Sequence, residues 1–182
     1  WRRKGKPAFF CVGYFVGLVA IQSRTGYQET ITVLYEVLDL IEKAYPKEEK
    51  GLPLIKGEVA INLGVLLARI NKIEDAIKIQ QQALVIFEQM GSDDIKATCL
   101  NNLGDYYKEI YDLNLALSSY KKALTLCQTL DQRLNIAEIH NKIGELLRET
   151  RSAQEALANH QKALDIYQTE DDKDSKAYTL DR

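Results

Sequence analysis

Two histidines, three cysteines and an acidic run are the places where this 182-residue chain could hold reactive or metal-binding chemistry. His140 and His160 do not form the paired-histidine helix of a zinc site, and neither a G-x-x-x-x-G-K phosphate loop nor a G-x-S-x-G nucleophile elbow occurs. Cys11, Cys99 and Cys127 are odd in number and far apart, which suits neither a disulfide framework nor a metal knuckle. They read as small buried hydrophobes in a reducing compartment. The run EDDKD at 170–174 lacks the glycine and terminal glutamate of a calcium loop and reads as an exposed connection. These residues therefore predict no enzyme, no metal and no small-molecule cofactor. Twenty-four basic against 26 acidic residues leave a net charge of −2, which removes the basic face that nucleic acid requires.

The elements that could position functional residues come next. Hydrophobic residues make up 46% and charged residues 27%, with ten Gly and three Pro, a composition suited to a soluble helical protein. At the amino end, WRRKGKP followed by AFFCVGYFVGLVAI has the basic start and apolar run of a secretory signal or anchor over residues 1–22. The run is shorter than the roughly 20 residues of an upright membrane span, which argues against a membrane protein on length. A first helix is the competing reading, favoured because GYQETITVLYEVLDLI at 26–41 has the spacing of KIEDAIKIQQQALVIF at 72–87. A helix there places the protein in the cytoplasm.

The chain repeats itself. On a 40-residue register without gaps from 57 to 182, Gly64, Gly104 and Gly144 align, as do Ala76, Ala116 and Ala156, and Ala83, Ala123 and Ala163. Ala97, Ala137 and Ala177 continue the series, giving units at 57–96, 97–136 and 137–176 and the start of another at 177. Apolar positions three and four apart form two runs per unit, predicting antiparallel amphipathic helices at 94–110 and 113–130 in the middle one. Small residues at fixed register would let those helices cross closely. Residues 1–56 form a divergent helix pair, and AYPKEEKGLP, with about six extra residues, predicts an enlarged loop.

The residues Asn102, Leu103, Gly104, Tyr107, Ala116, Tyr120 and Ala123 resemble the pattern of the tetratricopeptide repeat. The period of 40 exceeds the usual repeat of about 34 residues, the helix-breaking proline is absent, and Gln80 and His160 replace Tyr120 in the flanking units. The long unit is similar to those of kinesin light chains, G-protein-signalling modulators and bacterial multi-repeat regulators. This resemblance implies an all-α fold, a right-handed α-solenoid of antiparallel helix pairs. In that register His140 and His160 fall at packing positions.

The resemblance also implies where a ligand would lie, since the first helix of each unit lines the concave groove. The residues so placed are Asn62 and Arg69 in the first regular unit, and Asn101, Asn102, Asp105 and Lys108 in the second. Asn141, Lys142, Glu145 and Arg148 occupy the third. Asparagine offers a donor and an acceptor to an extended peptide backbone, the role the family implies for Asn62 and Asn102. Arg69, Lys108, Lys142 and Arg148 would then receive carboxylates of the bound segment. The same charges also suit a solvated face with weak pairs of about 0.2–0.5 kcal/mol each. The implied function is a non-catalytic interaction scaffold for a protein or peptide, with the sensor region of a larger signalling protein as the alternative. Uncapped ends give such an array a route to self-association.

Overall fold

The computed structural model describes residues 26–44, 52–150 and 152–170. Residues 1–22, most of the enlarged loop, the acidic run beyond Glu170 and the continuation at Ala177 lie outside the described residues. Within them are seven helices and no strand: α1 (Tyr27–Ala44), α2 (Leu52–Arg69), α3 (Ile73–Met90), α4 (Asp93–Glu109), α5 (Leu113–Thr129), α6 (Arg133–Glu149) and α7 (Ala153–Thr169). The chain divides into two compact units, Trp1–Gln89 and Met90–Arg182. None of the described helices is long and apolar enough to cross a membrane.

The second helix of each repeat buries one stripe. On α5 it is Ala116, Tyr120, Ala123 and Cys127, on α7 Ala156, His160, Ala163 and Tyr167, and on α3 Ala76, Gln80, Ala83 and Phe87. Spacings of four, three and four keep these residues on one face of a helix with 3.6 residues per turn. Cys99 and Cys127 are both buried free thiols.

The glycines serve a different purpose from the close backbone crossing that small residues predict. A Cβ on Gly104 would collide with the ring of Tyr120, and one on Gly144 would stand 2.7 Å from the imidazole of His160. Each is a slot for a ring from the next helix. At the other end of the pair in the first unit, a Cβ on Gly57 would stand 2.5 Å from the Phe87 ring. Ala137 packs beside Tyr167 in the same arrangement. These contacts join the start of one helix to the end of the next, which makes the pairs antiparallel.

Helix ends are built alike. Asn71, Gly91, Tyr111 and Asp131 all take the left-handed conformation, with φ of 63°, 68°, 59° and 52°. Behind three of them the next N–H reaches back five residues, as Lys72 to the Leu67 carbonyl, Asp112 to Tyr107 and Gln132 to Cys127. This closes the last helical turn and frees the chain to reverse within a few residues. Asn, Asp and Gly adopt this conformation cheaply, whereas Tyr111 does so with a bulky side chain that is 82% exposed.

Candidate functional interface

In the first unit, α1 and α2 run antiparallel, tied by Lys56 Nζ to Glu42 at 2.7 Å. At the far end of α2 the Arg69 guanidinium sits 5.9 Å above the Tyr27 ring and donates to its hydroxyl at 3.4 Å. Arg69 thus already has an aromatic partner. Asn62 is half-buried, between the aliphatic neighbours Ile61 and Val65.

The second unit gathers most of the other residues singled out by sequence. α4 and α6 lie side by side, and a polar ladder joins them. Lys142 on α6 donates to Asp105 at 2.8 Å and to Asn101 at 3.2 Å on α4, and to Glu138 one turn back on its own helix at 2.9 Å. Asn101 in turn donates to Glu138 at 3.3 Å. One turn further along, Lys108 bridges Glu145 at 3.1 Å and Glu149 at 3.5 Å. Asp105 has a second duty, accepting the Tyr120 hydroxyl of α5 at 2.7 Å.

The ladder sets the electrostatics. Burial works to lower the Lys142 ammonium, but Asp105 and Glu138 outweigh it and hold the group above its ordinary value. Lys108 behaves the same way, with burial opposed and overcome by Glu145 and Glu149. Burial first and Asp105 second push the Tyr120 hydroxyl far above the usual phenol range. Tyr106, buried on α4, is raised by burial, Asp105 and Cys99.

Asn141 departs from the expected ligand face. It is 3% exposed, and its amide oxygen meets Nδ1 of His160 at 3.1 Å. The neighbouring residues repeat the pairing in reverse, His140 Nδ1 meeting Asn159 Oδ1 at 2.9 Å. Asn159 also donates its amide to the Glu155 carbonyl at 2.9 Å, which turns its oxygen toward the imidazole and leaves the proton on Nδ1. Both histidines are buried in the α6–α7 interface, so their work is packing and pairing between helices. Asn102 is half-buried on α4 without a hydrogen-bond partner among the described residues, and Arg148 is exposed at the end of α6.

Glu138 is not among the groove residues expected from the sequence. A Glu four residues before Lys142 on one helix was the available signal.

Residues 57–129 match the family model of the tetratricopeptide repeat. Those residues are tetratricopeptide repeats. No curated protein matches the chain in sequence. Solved structures with a similar fold include BtubC (BKLC) from P. vanneervenii, at 20% identity and a TM-score of 0.73 over 94% of this chain and 79% of that one. The apo form of RapI aligns at 15% identity and a TM-score of 0.79, covering 98% of this chain and 62% of RapI. Bacillus thuringiensis PlcR, solved in complex with the peptide PapR7 and DNA, aligns at 16% identity and a TM-score of 0.74, covering 96% of this chain and 61% of PlcR. The chain therefore spans about three fifths of the RapI and PlcR chains. At these identities the likeness establishes a shared tetratricopeptide-like helical fold.

Proposed function

We propose that the protein is a non-catalytic interaction scaffold that holds an extended segment of a partner protein along α4 and α6, the first helices of two of its repeats. The observation that carries this reading is the α4–α6 ladder. Its polar side chains contribute little to the apolar stripe that packs the repeats, yet they are held in fixed positions by shared hydrogen bonds across two helices. A preorganised polar face of this kind lowers the ordering cost of binding. Asn102, half-buried and without a partner among the described residues, supplies an amide that can pair with a ligand's main chain. Asn101, Asp105, Lys108, Lys142 and Glu145 form the surrounding wall, and Arg148 extends it at the end of α6.

The test is peptide display against the intact protein and against the Asn102→Ala, Lys108→Ala variant in parallel. Selected peptides that bind the parent and lose affinity for a variant of unchanged helicity support the reading. Peptides that bind both equally place recognition elsewhere on the protein.

A second reading, the sensor region of a larger regulator, draws on the partial coverage of RapI and PlcR and on the peptide bound in the latter structure. A peptide that binds this protein and changes the activity of a longer parent chain supports it.

A further inference from the structure

We propose that the segment bound along the α4–α6 face is cationic, an extended peptide presenting lysine or arginine side chains to this face. The inference rests on the scaffold reading above and gives the face the opposite polarity from the sequence expectation, in which its lysines receive carboxylates.

Donor capacity decides the point. An ammonium has three N–H donors, and those of Lys142 are matched by three acceptors, Asp105, Glu138 and Asn101. Nothing remains for a ligand carboxylate. Lys108 divides itself between Glu145 and Glu149. That leaves Lys108 one donor of three, flanked by two protein carboxylates that repel an incoming anion.

Acceptor capacity points the other way. Two lysines face four carboxylates in the ladder, a net charge of −2 on those six groups. Glu138, Asp105 and Glu149 keep 52%, 40% and 38% of their side-chain surface open to solvent. Each carboxylate offers about four lone-pair sites, so the exposed ones can accept further donors without breaking the ladder. The charges of exposed Arg148 and Glu109 at the ends of α6 and α4 offset one another and leave the balance unchanged. The raised lysines report the same field from within, since the carboxylates overcome the effect of burial at both. Elsewhere in the unit the balance differs: α5 carries Lys121 and Lys122 and no acidic residue.

The occupant that complements this face is a peptide whose cationic side chains reach the outer oxygens of Glu138, Asp105 and Glu149. Its backbone then lies within reach of Asn102. Guanidinium groups suit the carboxylates better than ammonium groups, because the planar fork can take two oxygens at once.

The experiment is calorimetric titration of the whole chain at low salt with two synthetic nonapeptides, one alternating Lys and Ser and the other alternating Glu and Ser. The Lys peptide is expected to bind and the Glu peptide not to. Glu138→Gln with Glu149→Gln should weaken the Lys peptide at least tenfold, with the circular dichroism spectrum unchanged. If that pair of substitutions disturbs the fold, Glu138→Gln alone and the salt dependence of the parent serve, binding being expected to weaken markedly as salt screens the face. Tighter binding of the Glu peptide, lost in Lys142→Gln, overturns the polarity and leaves the scaffold reading standing. Lys-peptide binding that ignores the glutamine substitutions overturns both the polarity and the location. Failure of both peptides to bind at millimolar concentration overturns charge as the determinant.

Discussion

The α2–α3 pair and the α4–α5 pair share a register and differ at its centre. In α4–α5 the central residue is Tyr120, fully buried, with its hydroxyl on Asp105 at 2.7 Å. In α2–α3 the same position holds Gln80, also fully buried, with both ends of its amide lacking a hydrogen-bond partner among the described residues. The cause lies one residue past each glycine, where Asp105 has Val65 as its counterpart. Packing in the two pairs follows one plan, while the polar chemistry laid over it does not. The difference separates what the fold needs from what is added to it: the buried stripe recurs in all three pairs, but the ladder residues of α4, Asn101, Asp105 and Lys108, have aliphatic Ile61, Val65 and Ala68 as their counterparts on α2.

Four outcomes would sharpen or break that comparison. The largest is expected at the ring slot. Gly104→Ala drives a methyl group into a fully buried ring and should cost about 3 kcal/mol, the upper part of the usual range for overpacking. An unchanged denaturation midpoint would show that Tyr120 can move aside. Next, the central residues should respond with opposite signs. Gln80→Leu removes a buried, unpaired amide and should stabilise by about 2 kcal/mol, whereas Tyr120→Phe strips a charged acceptor of its donor and should destabilise by about 1.5 kcal/mol. Equal signs in thermal melts would dissolve the distinction between the pairs.

Smaller effects are expected at a helix end and at the histidines. Tyr111→Gly relieves a bulky residue of its left-handed conformation and should stabilise by roughly 1 kcal/mol; the matching change at Asn71 should do less, because asparagine tolerates that conformation. Burial, reinforced by Lys162 and only partly offset by Asn159, lowers the His140 imidazole below its ordinary value. A group held low in the folded state adds stability above its unfolded pKa of about 6.5 and loses it as pH falls through the folded value. Acid titration should therefore weaken the α6–α7 pair first, and His140→Gln should flatten that part of the stability profile. A profile that keeps its shape in the variant assigns the acid sensitivity elsewhere.

Much of the fold was legible because it repeats. The three alanine registers, the glycines and the helix limits could be read directly, and α4 and α5 end within a residue of the expected bounds. The work of the glycines was misread, because spacing reveals that a small residue recurs but not whether a backbone or a ring fills the space beside it. Phe87 as the partner of Gly57 also escaped notice, since the two lie thirty positions apart and meet only when the helices fold back. At the candidate site, the residue types were legible and their mutual saturation was not. Lys142 and Asp105 are separated by 37 positions, so their pairing depends on how α4 and α6 lie together. Asn141 was displaced from the expected face for a related reason. Its amide meets His160 of α7, a contact across two helices that the sequence of α6 alone does not show.

Amide chemical-shift mapping of a bound peptide bears most directly on the scaffold reading. With the tightest display-selected peptide, binding along the ladder predicts the largest shifts at Asn101, Asn102 and Lys108 on α4 and at Glu138 and Lys142 on α6. Shifts confined to α5 and α7 would contradict it, and would leave the ladder as internal bracing between helices.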